Sequence, residues 1–208
     1  MPIEMITGPM FSGKSEELIR RIRRAMIAGQ KVQVFTPALD FRGGENCIYS
    51  HDKRIIDAIP INKSREILEK LEPDTEVIGV DEIQFLDDEI IDVALELASR
   101  NIRVILACLN LNFRGEPFPF RDSKRTVADM IALSDYVDKL HAICTHKLKD
   151  ENGKERICGK EAYFTQRLID GKPAPYDSPL IVVGSEELYE ARCREHHIVP
   201  GKPKKTLC

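Results

Sequence analysis

The chain has 208 residues, 42% of them apolar and 31% charged, with a net charge of −3. That is an ordinary globular composition with room for one α/β domain and a small appendage. The slight acidic balance argues against a dedicated nucleic-acid binder, and no apolar run approaches the length of a membrane span.

Residues 3–6 form a short apolar run, read as a first strand. It leads into Gly8, Pro9, Met10, Phe11, Ser12, Gly13, Lys14 and Ser15, the G-x-x-x-x-G-K-S pattern of a phosphate-binding loop. Gly8 and Gly13 permit backbone angles that let successive N–H groups turn inward around an anion. Lys14 has the reach for β- and γ-phosphates, and the Ser15 hydroxyl is a Mg²⁺ ligand in this pattern. Residues 15–27 carry apolar side chains at 18, 19, 22, 25 and 26, which is helical spacing. The N-terminus of that helix points partial positive charge at the phosphates. Arg20, Arg21, Arg23 and Arg24 on it read as a solvated face or a subunit contact.

Residues 31–36 read as a second strand, followed by a loop over 37–44. Asp40 and Arg42 lie just past the strand end, where open α/β sheets place ligand contacts; a loop salt bridge accounts for them equally well. Residues 45–53 are an excursion in which His51 reads as a satisfied polar residue. Cys47 and Cys108 read as small apolar side chains. A short strand is expected over 55–61, and a helix over 63–71 with Ser64 as its cap. Residues 75–85 form an apolar strand that ends in Asp81 and Glu82. In phosphate-loop proteins such an aspartate holds Mg²⁺, often through water. Glu82 is placed to take a proton from water or from a substrate hydroxyl. An exposed acidic turn is the alternative.

Residues 89–100 have apolar positions at 90, 91, 94, 95, 97 and 98, an amphipathic helix. A buried strand over 104–109 opens into a loop over 110–119. There Phe113, with Phe118 and Phe120 beyond, serves either binding or the core. A helix over 126–134 closes on residues 135–140. The alternation predicts a parallel sheet in a phosphate-loop (RecA-like) domain flanked by helices, occupying 1–140. No internal repeat or low-complexity segment interrupts it.

The character changes at 141. With no signal peptide before the first strand, the expected compartment is the cytosol, where cysteines stay reduced. Yet Cys144, Cys158, Cys193 and His196 cluster late. Cys193 and His196 have C-x₂-H spacing, and a Cys₃His set suits tetrahedral Zn²⁺ in a segment too small to build its own core. Thirteen residues separate Cys144 from Cys158, a stretch in which 146–156 is able to loop out as a hairpin; His146 and His197 are alternative ligands. Between the half-sites, 166–189 is a long excursion suited to a lid. Its backbone at Leu180, Ile181, Val182, Val183 and Gly184 is able to hydrogen-bond a flat ligand, with Tyr189 packing on it. A small β-element in the core is an equal alternative. The expected appendage is a small C-terminal zinc-binding lasso or lid domain over 141–200, with a disordered tail at 201–208.

GPMFSGKSEELIRR, DEIQF, NFRGEPF, TQRLIDG and LIVVGSEELYEARC together resemble the thymidine kinases of the zinc-containing tetrameric class found in bacteria and the animal cytosol. The resemblance runs from residue 6 to about 199. It implies transfer of the γ-phosphoryl of ATP to the 5′-hydroxyl of thymidine with Mg²⁺, serving deoxynucleotide salvage for DNA synthesis. Gly8 to Ser15 match the phosphate loop, Asp81 the magnesium-linked acid and Glu82 the general base. Asp81, Glu82, Ile83 and Gln84 match nucleotide-site positions, as do Asp40, Phe41 and Arg42. Phe113 matches a residue at the nucleoside. Leu180 to Gly184 match the lid backbone that reads the Watson–Crick edge of thymine, and Tyr189 the aromatic that encloses it. Cys144, Cys158, Cys193 and His196 match the zinc positions. Here an insertion splits the family's usual first C-x₂-C pair, and the fourth ligand is His where Cys is frequent. The resemblance further implies a homotetramer without nucleic-acid or membrane partners, and raises feedback inhibition by dTTP. The rivals are a phosphate-loop kinase for another nucleoside and a zinc-bearing, ATP-dependent nucleic-acid-binding module.

Overall fold

The computed structural model describes residues 1–38, 47–49, 55–182 and 188–203. The chain divides into two units. Met1–Thr7, Gly13–Asn110 and Pro117–Leu140 make the first; Gly8–Ser12, Leu111–Glu116 and His141–Cys208 make the second.

The first unit is built on a six-stranded parallel sheet: β1 (Ile3–Gly8), β2 (Val32–Pro37), β3 (Ile59–Ile61), β4 (Val77–Val80), β5 (Arg103–Leu109) and β6 (Tyr136–Lys139), in the spatial order β3-β2-β4-β5-β1-β6. Every residue of β1 and β4 is buried, as expected of strands covered on both faces. β5 lies between β1, which leads into the phosphate loop, and β4, which ends at the acid pair. Among the described residues four helices accompany the sheet: α1 (Lys14–Ile27), α2 (Glu66–Glu69), α3 (Glu89–Ser99) and α4 (Val127–Leu133).

Leu18, Ile19, Ile22 and Ala25 of α1 pack with Ile6, Val34, Val77, Ile105 and Ala107 in one buried cluster. Gly79 allows this close approach, because a Cβ there would stand 2.7 Å from Ile22 Cδ1. Val104 and Leu106 alternate to the opposite face of β5, and α3 packs against the same strand with Ile90, Ile91, Ala94 and Leu97 buried. Two apolar positions expected on the buried faces are instead outside: Met26 is 55% exposed and Leu95 41%. Both lie at the margin of their helix's apolar stripe. α4 is fixed at its start by a reciprocal capping box between Thr126 and Asp129.

The basic run on α1 splits. Arg23 and Arg24 are exposed, whereas Arg20 and Arg21 join a carboxylate network. Arg20 Nε and Arg21 Nε donate to Glu17 at 2.6 and 2.8 Å. Arg21 Nη1 and Arg103 Nε donate to Glu4 at 2.8 and 2.6 Å, and Arg21 also binds Asp138. The network ties α1 to β1, β5 and β6. Arg20's hydrogen bond, joined by Arg21 against the opposing push of burial, holds the Glu17 carboxyl at about 2, below its ordinary 4.5. A depressed acid contributes stability that is complete above the unfolded value and lost as pH falls through the folded one. Glu17 therefore stabilises the fold above pH 4.5 and loses that contribution between 4.5 and about 2. Thermal unfolding across this range should show a shallower acid decline in Glu17→Gln than in the wild type; identical slopes would remove Glu17 from the acid response.

Two expectations need correction. The strand expected over 55–61 is two: Ile55–Asp57 pairs antiparallel with Cys47–Tyr49, while β3 joins β2. The chain changes partner at buried Ala58, and Pro60, which has no N–H, is accommodated on the edge strand β3. The helix expected over 63–71 shrinks to α2. Ser64 does not cap it; its hydroxyl donates to the Asp87 carbonyl at 3.2 Å. The Glu66 carboxylate instead accepts from the Asn62 and Lys63 amides at 2.9 and 3.0 Å.

The second unit has no α-helix among its described residues. Its largest sheet sets β7 (Phe164–Ile169) between Lys172–Pro173 and β8 (Tyr189–Arg192), all antiparallel. Lys147–Lys149 pairs with Glu155–Ile157, and Ala142–Ile143 with Glu161–Ala162. One buried cluster here is Ala142, Cys144, Ala162, Ala191 and Cys193, with Cys158 partly buried against it. Alanine and cysteine bury little apolar area, so this corner lacks an ordinary hydrophobic core. Among the described residues, no helix is long and apolar enough to cross a membrane.

Candidate active site and metal centre

The loop after β1 turns through left-handed backbone at Phe11 (φ 65°) and Gly13 (φ 80°). A Cβ at Gly13 would meet no atom within 4 Å, so the torsion and not crowding calls for glycine there. Ser12 Oγ donates to the Pro9 carbonyl at 2.8 Å, closing the loop on itself. Gly13 is the N-cap of α1 and gives no side-chain cap; its carbonyl accepts the first helical bond, from Glu17 N at 2.9 Å. The first-turn amides of α1 therefore receive no side-chain cap from Gly13, an arrangement suited to an anion at a helix start. Met10 N donates to Thr165 Oγ1 of β7 at 3.0 Å.

Lys14 is 6% exposed and Asp81, just past β4, is 3% exposed. Asp81 is hydrogen-bonded to the Ser15 hydroxyl, and its Oδ1 accepts from Glu82 N at 2.9 Å. Burial first, and the Glu82 charge second, push the Asp81 carboxyl above its ordinary range; the Ser15 bond and the Lys14 ammonium oppose the push. Glu82 sits in left-handed backbone (φ 49°), a conformation that non-glycine residues seldom hold. Its carboxylate accepts from Gln84 Nε2. Gln84 is fully buried and is itself fixed, because its Oε1 accepts from Leu109 N at 3.1 Å. Ile83 is buried in the 3₁₀ turn Ile83–Phe85. The Ser15 hydroxyl and the Asp81 carboxylate are hard oxygen donors of the type Mg²⁺ takes, and a cation there would relieve the charge that Glu82 places beside Asp81. Cys108 lies in β5 beside Thr7; burial pushes its thiol up to about 12, which makes it inert.

In the second unit Cys144, Cys158, Cys193 and His196 offer four ligand atoms, all within 4.8 Å of one another. His196 Nδ1 stands 3.7 Å from Cys144 Sγ and 3.3 Å from Cys193 Sγ. A tetrahedral Zn²⁺ with ordinary bond lengths separates sulfur from nitrogen by about 3.6 Å, a value these two spacings bracket, so the donor set fits zinc. The insertion does not disperse it. The hairpin of Lys147–Lys149 and Glu155–Ile157 returns the chain to its root, where Cys158 N donates to the His146 carbonyl at 2.8 Å and Gly159 N to the Cys144 carbonyl at 3.1 Å. Of the alternative ligands, His146 lies against the His196 ring with centroids 4.2 Å apart. His197 turns away, its Nε2 donating to the Phe113 carbonyl at 2.9 Å.

Phe113 is 3% exposed and lies against two guanidinium groups: Arg114 Cζ is 5.5 Å and Arg167 Cζ 5.6 Å from the ring centroid. Phe118 and Phe120 are buried in the first unit, Phe118 edge-on to Phe85. Leu180, Ile181 and Val182 lie outside any strand and Ile181 is 47% exposed, so these three do not form a core β-element. Tyr189 opens β8, opposite Arg167. Asp40, Phe41, Arg42, His51, Val183, Gly184 and the Cys47 side chain lie outside the described residues. Arg114, Thr165, Arg167 and His197 were not singled out from sequence for the contacts they make. NFRGEPF and TQRLIDG contain the first three, but nothing local marks a side chain whose partner is distant in sequence.

A glycine-punctuated loop ahead of a helix, with a strand-end aspartate bonded to the serine that follows the loop lysine, defines a phosphate-loop nucleotide-binding protein. Within that class the assignment is specific. Residues 1–197 match the family model for thymidine kinase, and the chain belongs to that family. Among solved structures it is similar to a DNA replication initiation factor (15% identical, 67% of this chain and 40% of that one, TM-score 0.40). It is also similar to AMPPCP-bound DnaA from Aquifex aeolicus (18%, 67% and 40%, 0.39) and to the ATPase DotB of Legionella pneumophila (20%, 74% and 43%, 0.38). The chain spans between 40% and 43% of the length of these three.

Proposed function

We propose that the protein is a thymidine kinase, transferring the γ-phosphoryl group of ATP to the 5′-hydroxyl of thymidine. The observation that carries this is the family match over residues 1–197. In the reaction the 5′-oxygen bonds to the γ-phosphorus as the bond to the ADP oxygen breaks. Such transfers need positioning and charge neutralisation more than covalent help. The amides of Gly8 to Ser15 and the Lys14 ammonium hold the phosphates. Ser15 and Asp81 would hold Mg²⁺, which would supply further positive charge there. Glu82, oriented by Gln84, accepts the 5′-hydroxyl proton. Asp40 and Arg42 contribute to the nucleotide site. Phe113, the backbone of Leu180 to Gly184 and Tyr189 hold the base. One zinc ion on Cys144, Cys158, Cys193 and His196 cross-links the second unit.

The reading extends to a nucleotide-binding domain over 1–140 and a lasso domain over 141–200, to a homotetramer, to inhibition by dTTP and to a cytoplasmic location; these rest on family resemblance. Incubation with ATP, Mg²⁺ and a panel of thymidine, deoxyuridine and deoxycytidine, with products identified, tests the substrate. The expected product is dTMP, formed in preference to dCMP. Phosphorylation of deoxycytidine alone would assign the chain to another nucleoside.

A further inference from the structure

Arg167 is only 6% exposed, and among the described residues no carboxylate pairs with it. A cation buried without a counter-ion is costly, so what the side chain touches carries the explanation. Its Nη1 donates to the Pro179 carbonyl, its guanidinium lies over the Phe113 ring, and its backbone is the ladder partner of Tyr189. Pro179 precedes Leu180, the first of the backbone positions proposed for the nucleoside, and Tyr189 is the aromatic proposed for it, so one arginine meets both.

Arg114 repeats half of this arrangement. Its Nη2 donates to the Ser178 carbonyl at 3.0 Å, and its Cζ lies 5.5 Å from the Phe113 centroid and 4.7 Å from that of Tyr176. Tyr176 is held in turn by its hydroxyl, 3.2 Å from Glu116 Oε1. Consecutive carbonyls, of Ser178 and Pro179, are thus gripped by two guanidinium groups packed against one phenyl ring. His197 fixes the backbone of that same phenylalanine. Arg114 Nε and Arg167 Nε are buried donors with no acceptor among the described residues, so both guanidinium groups are held by their terminal nitrogens and the ring.

We infer that Arg114 and Arg167 are positioning residues for the nucleoside: they lock the Phe113 ring in register with the Ser178–Pro179 root, and so set thymidine affinity without touching ATP affinity. This rests on the nucleoside reading of Phe113 and Leu180 to Val182. Arginine is required because a planar guanidinium stacks on a ring while donating in its own plane; a lysine ammonium supplies the charge and a donor but no flat face.

The test is steady-state kinetics of Arg167→Lys and Arg114→Lys, with KM measured separately for thymidine and ATP. Each variant is expected to raise the thymidine KM about tenfold, the loss appropriate to one stacked, charge-assisted contact. The ATP KM and the zinc content per chain stay at wild-type values. If Arg167→Lys fails to fold, the half-buried Arg114→Lys carries the same readout. In a Phe113→Leu background the lysine variants should add little, because contacts made through one ring are not additive. An unchanged thymidine KM, equal rises for both substrates, or full additivity with Phe113→Leu would overturn the inference while leaving the kinase reading intact. A wild-type protein that phosphorylates no nucleoside would overturn the kinase reading, and this inference with it.

Discussion

Glu82→Gln is expected to lose about 10²- to 10⁴-fold in kcat, the contribution of a positioned general base, with both KM values close to wild type. The amide is nearly isosteric, and its oxygen still accepts from Gln84 Nε2, so the left-handed turn at Glu82 and the buried Gln84 keep their places. What the amide cannot do is take a proton at neutral pH. Asp81 and Lys14 are untouched, so the groups proposed to hold the phosphates and Mg²⁺ keep their places. A fall in kcat with constant KM is the signature of an interaction made only in the transition state. If kcat is unchanged, the proton leaves by another route and Glu82 has no catalytic role.

Cys193→Ser is expected to abolish zinc binding and to lower the melting temperature by on the order of 10 °C, several kcal/mol in a chain of this size. The reason lies in the poverty of the local core. Around the ligands the buried cluster is only alanine and cysteine, so a metal there would supply the cross-link that leucines and phenylalanines supply elsewhere. Cys193 is central to it, with its sulfur 3.3 Å from His196 Nδ1 and its carbonyl accepting the amides of His196 and His197. A serine hydroxyl keeps the shape but is a far weaker ligand. Elemental analysis should find one zinc per wild-type chain and almost none in the variant. Wild-type protein without metal, or a variant with full zinc, would refute the assignment.

What the sequence disclosed and what it hid divide along chain distance. The phosphate loop was legible because its requirement is local: two glycines, a lysine and a serine at fixed spacing, between an apolar strand and an amphipathic helix. The buried positions of α1 at 18, 19, 22 and 25 followed from period alone, and only Met26 at the stripe's margin turned out exposed. The residue types of the Cys₃His set were readable, but the thirteen intervening residues hid how the first two cysteines meet. That depends on backbone bonds at the hairpin root, Cys158 to His146 and Gly159 to Cys144. Ser64 misled because a serine before an apolar run looks like a cap, whereas Asp87, distant in sequence, claims its hydroxyl. Arg21 was hidden in a basic run that suggested a solvated face; its partners Glu4 and Asp138 lie on two different strands. Arg114 and Arg167 were hidden most completely, since two guanidinium groups sharing one ring leave no periodic trace.

The most direct check on the proposed chemistry is a crystal structure with thymidine and a non-hydrolysable ATP analogue bound. The expected result is a 5′-oxygen within hydrogen-bond reach of the Glu82 carboxylate, about 2.6–3.2 Å, with the γ-phosphate at the Lys14 ammonium. A 5′-oxygen that neither Glu82 nor a single bridging water reaches, beside an otherwise ordered nucleotide, would contradict it.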